Sequence, residues 1–145
     1  RNDPNKLKNN IIPYSLNNHI HEKEVSFHMQ REINFMPHVA DFFRGILITG
    51  NFSLMSQYSS QEIRNIYDDF YGDHSFIDIK EEFPSISEVI NTPNAMIGGF
   101  NIDESKKRLS FCCSIDNLLK GAASQAIQNL NNVMNFDEKL GLQKR

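Results

Sequence analysis

The residues His19-Ile20-His21-Glu22-Lys23-Glu24 bring two imidazoles and a carboxylate close together along the chain. On a helix, positions three apart share a face, so Glu24 can orient the His21 ring and stabilise its charged form, as in a general acid–base pair. A helix N-terminus disfavours that cation, so the two influences oppose. The same residues also read as a metal site to which His38 adds a further imidazole, or as a solvated polar turn. A second group, Phe35-Met36-Pro37-His38-Val39-Ala40-Asp41-Phe42-Phe43-Arg44-Gly45-Ile46-Leu47, carries a guanidinium that can grip a carboxylate or phosphate with two prongs. Its plain alternative is a solvated loop arginine with His38 at a strand end. A third, Ile115-Asp116-Asn117-Leu118-Leu119-Lys120-Gly121-Ala122-Ala123-Ser124-Gln125-Ala126-Ile127-Gln128-Asn129, joins a strand end to a helix whose small residues invite close packing. Helix packing explains its alanines equally well.

Composition narrows the partners. The 145 residues suit one domain with a real core, and a net charge of −3 with both signs interspersed offers no basic stripe for nucleic acid and no polybasic patch for lipid. No apolar run nears the roughly 20 residues of a membrane span, and the first residues are polar, so neither a span nor a secretory signal is expected and a cytoplasmic setting is. A Gly-x-Gly-x-x-Gly turn is missing, and Gly98-Gly99 lies between apolar, strand-like residues, so this chain does not hold a dinucleotide by that route. Cys112 and Cys113 are neighbours with no nearby cation, which reads as two thiols packed on opposite faces of a strand.

These groups need elements to position them. Residues 1–13 read as an irregular N-terminal segment, with order setting in near Ile11 and the main domain running over 14–145. A helix is predicted over Ile20–Gln30, entered through Asn17-Asn18, with Ile20, Val25 and Met29 on a partly apolar face. Strands are predicted over Glu32–Val39, Ile46–Leu54, Phe76–Ile79, Ile86–Ile90, Ala95–Ile102 and Arg108–Ile115, the last two as an antiparallel hairpin. Ser59-Ser60-Gln61-Glu62 forms a capping box ahead of Ile63, Ile66, Tyr67 and Phe70, with Gly72 as a left-handed stop. From Asn117 to about Met134, Leu119, Ala122, Ala123, Ala126, Ile127, Leu130 and Val133 form a stripe expected to be buried.

The third block resembles the Asp-Asn-Leu-x-Lys-Gly-Ala-Ala-Gly-Gln-Ala-x-Gln-Asn signature of N-acetyl-gamma-glutamyl-phosphate reductase, an NADP-dependent relative of the semialdehyde dehydrogenases. The first group is similar to that family's His-Arg-His-x-Pro-Glu, the second to its Thr-Pro-His-Leu-x-Pro-Met-x-Arg-Gly-Ile-Leu. Asn135 to Leu142 is similar to its Gly-Phe-Asp-Glu-x-x-Gly-Leu. The resemblance covers about Tyr14 to Leu142 and implies a substrate-binding and oligomerisation domain, the nucleotide-binding domain being absent from this chain. The fold it implies is α+β, a mixed, largely antiparallel sheet with helices on one face, similar to the catalytic domain of glyceraldehyde-phosphate dehydrogenase.

By the same resemblance His21 and Glu24 are catalytic, His19, His38 and Arg44 bind substrate, and Asn117 and Gln125 meet NADP, held mainly by the missing domain. No metal is implied. The parent reaction is NADPH-dependent conversion of N-acetyl-gamma-glutamyl phosphate to N-acetylglutamate semialdehyde and phosphate in arginine biosynthesis, through a cysteine thioester formed on polypeptide outside this chain. The chain by itself is expected to be inactive, and its free sheet face to join a symmetry mate in a homo-oligomer. The family pattern is broken where Ile20 replaces an arginine, Lys23 a proline and Ser124 a glycine. Those departures motivate a second reading, a non-catalytic oligomerisation or interaction module. A third is a sister aspartate-semialdehyde dehydrogenase domain.

Overall fold

The computed structural model describes residues 3–142 and divides into two compact units between Phe43 and Arg44. In the first unit, α1 (Pro4–Leu7) and β1 (Ile11–Pro13) lie in the segment expected to be irregular. The reason is local: the Asp3 carboxylate accepts the Asn5 N–H, and β1 finds an antiparallel partner in β2 (His38–Ala40), with Ile12 opposite Val39. Between them α2 (Ile20–Met29) takes His19 as its N-cap, one position beyond the predicted Asn17-Asn18, while Asn18 turns left-handed at φ 59°.

The predicted face of α2 is not buried: Ile20, Val25 and Met29 are 64%, 39% and 57% exposed. Nor is Glu32–Val39 a continuous strand, since only its end joins β2. Side chains of α2 take the backbone donors a ladder would use, Ser26 Oγ accepting the Ile33 N–H and Glu22 Oε2 the Phe35 N–H. Pro37 has no N–H to give.

The second unit is α+β. Its four-stranded sheet has the order β3 (Ile46–Ser53), β6 (Arg108–Ile115), β5 (Ala95–Ile102), β4 (Ile77–Lys80), with β4 and β5 parallel and the other pairs antiparallel. β5 and β6 form the predicted hairpin, Ile102 opposite Leu109. β6 is central, and its Leu109 and Ser114 are almost fully buried. Facing positions are fitted by size: Gly50 lies opposite Phe111, whose ring a Cβ at Gly50 would meet at 2.5 Å, and Phe52 packs on that ring at 5.4 Å between centroids.

α3 (Ser60–Tyr71) has the predicted capping box, with Ser59 Oγ accepting the Glu62 N–H at 3.2 Å and Glu62 accepting the Ser59 N–H at 2.7 Å. It buries Ile63 and lays Tyr67 on Phe100 of β5. Gly72 ends it in the right-handed region at φ −56°, so that stop is not the left-handed one expected. The predicted strand Ile86–Ile90 is a helical turn instead, α4 (Ile86–Val89). Its signal was present after Pro84: Glu88 Oε2 accepts both the Ser85 N–H and the Ser85 hydroxyl, and this box overrides a run of β-branched residues.

The last helix departs most. Leu119–Ala123 is a π-turn, and only Ser124–Val133 is α-helical (α5). Its predicted stripe is open, with Ile127, Leu130 and Val133 at 42%, 59% and 78% exposure and Gly121, Ala122, Ala123 and Ala126 exposed as well. Helical spacing tells that a face is apolar, not what covers it, and among the described residues nothing does. No helix among the described residues is long and apolar enough to cross a membrane.

Gly45, just before β3, has φ 110°, and an added Cβ would overlap the Ile86 Cγ2 methyl of α4. Gly45→Ala is therefore expected to cost roughly 2–5 kcal/mol, combining left-handed strain with overpacking. The urea unfolding midpoint of the 145-residue chain measures it, and an unchanged midpoint would mean this turn relaxes freely.

Candidate functional site

In the first unit the histidines gather around the start of α2. His19 Nδ1 accepts the His21 N–H at 3.2 Å, so the uncharged His19 ring carries its proton on Nε2. The His19 ring meets those of His21, Phe35 and Tyr14 at centroid distances of 4.8, 5.3 and 5.7 Å. His21 also sits edge-on to Phe35 at 6.1 Å, and its imidazole is exposed. This leaves His21 oriented by aromatic contacts, with neither ring nitrogen hydrogen-bonded among the described residues and both open to a proton partner.

The carboxylate that ties this region together is Glu22, which accepts the Asn18 and Phe35 N–H groups. Glu24 is exposed and makes no hydrogen bond or ion pair among the described residues, so the expected His21–Glu24 bond is not formed. His38 is also exposed, its Nδ1 held 2.9 Å from the Met36 carbonyl. A carbonyl only accepts, so Nδ1 carries a hydrogen and Nε2 is left as an acceptor. Among the described residues no cluster of His, Cys, Asp and Glu stands in a metal-holding arrangement.

In the second unit the sequence reading missed the organising residue, Asp116. It is fully buried and receives the Arg44 guanidinium bidentately, Nη2 at 2.6 Å on Oδ2 and Nε at 3.2 Å on Oδ1. Oδ2 also accepts the Asn91 N–H at 2.8 Å, and Oδ1 the Leu118 and Leu119 N–H groups at 2.9 and 3.2 Å. Arg44 Nη1 completes a ring of contacts by donating to Asn91 Oδ1 at 3.0 Å, with Asn91 left-handed at φ 62°. Burial pushes the Asp116 carboxyl up, but Arg44 and the amides of Asn91, Leu118 and Leu119 together outweigh it and hold the group below its ordinary value. The signal that could have found it is an Asp just before a helix start, the position where a carboxylate accepts free amides.

Arg44, expected to hold a substrate anion, is thus engaged by an internal carboxylate. Asn117 sits beside it: its Oδ1 accepts the Gly45 N–H at 2.6 Å, while its Nδ2 donates to nothing among the described residues. Gln125 donates through Nε2 to Asn129 Oδ1 at 2.8 Å, leaving its carbonyl oxygen as an acceptor. Asn117 thus keeps one amide donor and Gln125 one amide acceptor, the two kinds of group with which a carboxamide can pair. Gly98 and Gly99 lie within β5 and not at a helix start, so they form no phosphate-cradling turn. Next to the clamp a cleft of about 230 Å³ is lined by Asn91, Pro93, Leu119, Ser124 and Ile127. The Ser124 hydroxyl is buried without a hydrogen-bond partner among the described residues, a polar atom that a glycine would not have placed there.

The thiols are not part of a site. Cys112 Sγ contacts Thr49 Oγ1 at 3.8 Å on one face of the sheet, and Cys113 lies on the other, its thiol pushed up by burial and further by Cys112. Both are free, and an up-shifted thiol is a poor nucleophile.

Residues 1–117 match the family model described as "Semialdehyde dehydrogenase, dimerisation domain". The chain is 41% identical over 142 residues to N-acetyl-gamma-glutamyl-phosphate reductase of Xanthomonas axonopodis pv. citri, covering 98% of this chain and 45% of that protein. It is 43% identical to "Protein arg11, mitochondrial" of Schizosaccharomyces pombe, covering 98% of this chain and 16% of that protein. The chain therefore spans less than half the length of these relatives. In fold it is similar to aspartate semialdehyde dehydrogenase II of Vibrio cholerae, with a TM-score of 0.71 at 15% identity, covering 87% of this chain and 41% of that one.

Proposed function

Because the chain belongs to the semialdehyde dehydrogenase dimerisation-domain family, we propose that it is the substrate-side and oligomerisation domain of an N-acetyl-gamma-glutamyl-phosphate reductase. The observation that carries this is the match over 98% of its length, at 41% identity, to a reductase of that name. Similarity to the aspartate enzyme rests on the fold alone.

In this reading the acyl phosphate is attacked by a thiolate on polypeptide outside this chain, giving a thioester and releasing phosphate. His21 moves the proton: it takes one as the thiolate forms and returns one to the tetrahedral oxyanion. Its exposed ring at the start of α2 suits that traffic. His19 caps the helix through Nδ1 and so fixes the backbone that carries His21, and its Nε2–H is the donor it would offer substrate. His38 Nε2 offers substrate an acceptor, and Glu24 adds a negative charge near the start of α2 that favours the charged form of the His21 ring without bonding to it. Asn117 and Gln125 hold the cofactor's carboxamide. NADPH supplies the reducing equivalent when bound.

The open apolar face of α5 and the exposed residues of edge strand β3 support assembly, with a second copy on the sheet and the nucleotide-binding domain on the helix. The compartment expected from composition is the cytoplasm; the fission-yeast relative is named mitochondrial, and either aqueous setting suits the reaction.

The test is an assay of the full-length polypeptide carrying this chain, with N-acetyl-gamma-glutamyl phosphate and aspartyl phosphate offered side by side and NADPH against NADH. Turnover of the acetylated substrate with NADPH is expected, and none from the 145-residue chain alone. Turnover of aspartyl phosphate only would assign the chain to the sister enzyme, and turnover of neither would favour the non-catalytic module.

A further inference from the structure

We propose that Asp116 is a positioning residue that presets Asn117 for the cofactor's carboxamide, and that Arg44 acts through Asp116 and not on a substrate anion. The inference rests on the reading of Asn117 given above and deepens it.

The accounting begins with Arg44. Three of its five N–H groups are used, Nε and Nη2 on Asp116 and Nη1 on Asn91, and its side chain is 19% exposed against 0% for its partner. Turning its two-pronged edge to a substrate phosphate would abandon a carboxylate that has no access to water, which is strongly opposed. The pair is also neutral as a unit, so it offers an incoming anion little net attraction.

What the clamp does is immobilise Asn117. Asp116 Oδ1 takes the Leu118 and Leu119 amides and so fixes the backbone on the far side of Asn117. The head of Asn117 is pinned separately, its Oδ1 on the Gly45 N–H, and Gly45 follows directly on the gripped Arg44. Asn91, on the loop after α4, closes the arrangement by bonding both partners. The remaining freedom is the Asn117 Nδ2, a donor aimed and held before any ligand arrives. Pre-organisation of this kind strengthens binding by removing the ordering cost from the binding step.

The experiment measures dissociation constants of the full-length polypeptide for NADPH, by fluorescence titration, and for inorganic phosphate, by calorimetry. Asn117→Ala is expected to weaken NADPH about three- to ten-fold, the worth of one amide hydrogen bond. Arg44→Lys, which keeps the charge but loses the fork, is expected to weaken NADPH by a similar factor while leaving phosphate within about two-fold. The double variant should bind NADPH no more weakly than Asn117→Ala alone, because both changes act on one contact.

Asn91→Gly, which suits the left-handed backbone and removes the Nη1 acceptor, gives a gentler probe expected to weaken NADPH and spare phosphate. Weakened phosphate with unchanged NADPH in Arg44→Lys, or additive losses in the double variant, overturns the proposal and leaves the Asn117 contact standing. Unchanged NADPH binding in Asn117→Ala removes that contact and the proposal together.

Discussion

Replacing His21 with alanine in the full-length polypeptide is expected to lower kcat for N-acetyl-gamma-glutamyl phosphate by about 10²- to 10⁴-fold, with a much smaller change in KM. The size follows from the work assigned to the ring. It accepts a proton as the nucleophile forms and supplies one to the oxyanion, and among the described residues neither His19 nor His38 has both ring nitrogens unengaged, while His28, which does, sits in the last turn of α2 away from its start. His19 Nδ1 is occupied as the cap of α2 and His38 Nδ1 faces the Met36 carbonyl, whereas His21 makes only ring contacts. Loss of kcat with KM kept is the mark of a group used in the chemistry and not in holding substrate. Normal steady-state turnover of His21→Ala would end the assignment. Glu24→Ala is expected to be far milder, because Glu24 makes no bond to the ring that it could lose.

Asp116→Ala is expected to destabilise the chain by about 3–5 kcal/mol, since it strands the Arg44 guanidinium and the amides of Asn91, Leu118 and Leu119 around a void. The contribution is pH-dependent in a definite sense. A carboxyl held below its ordinary value by Arg44 and backbone amides stabilises the folded state fully above its unfolded value, near pH 4, and progressively less as pH falls through its folded value. Urea midpoints taken from pH 7 downwards should therefore fall below about pH 4, and the acid-side slope should flatten in Asp116→Ala. A variant with the parent's midpoint at pH 7 would show that the clamp is not a structural element. Oxidation of the adjacent thiols is not expected to mimic this, because Cys112 and Cys113 lie on opposite faces of β6.

The parts of the fold that the sequence set by itself are those whose signals are complete within a few residues. Ser59 and Glu62 close a capping box across one turn, so the start of α3 was legible without knowledge of any other element. The β5–β6 hairpin was legible for the same reason, with alternating residues on both sides of a polar turn. In the candidate site, spacing put His21 and Glu24 on one face at a helix start; the structure has His19 as the N-cap with the His21 ring 4.8 Å away, and among the described residues Glu24 makes no bond to His21.

Tertiary structure decided whatever depends on which of several possible partners a group takes. Glu32 to Pro37 alternates well enough for a strand, yet Ser26 and Glu22 reach its amides first. Arg44 carries a fork that fits any planar anion, and only folding shows that a carboxylate 72 residues along the chain fills it. The α5 stripe is apolar by spacing, but burial is a property of two surfaces, and one chain supplies only one of them. Periodicity and capping are short-range and repeat in every context, whereas a guanidinium, a buried carboxylate and an apolar face each acquire meaning from atoms that sequence proximity does not bring near.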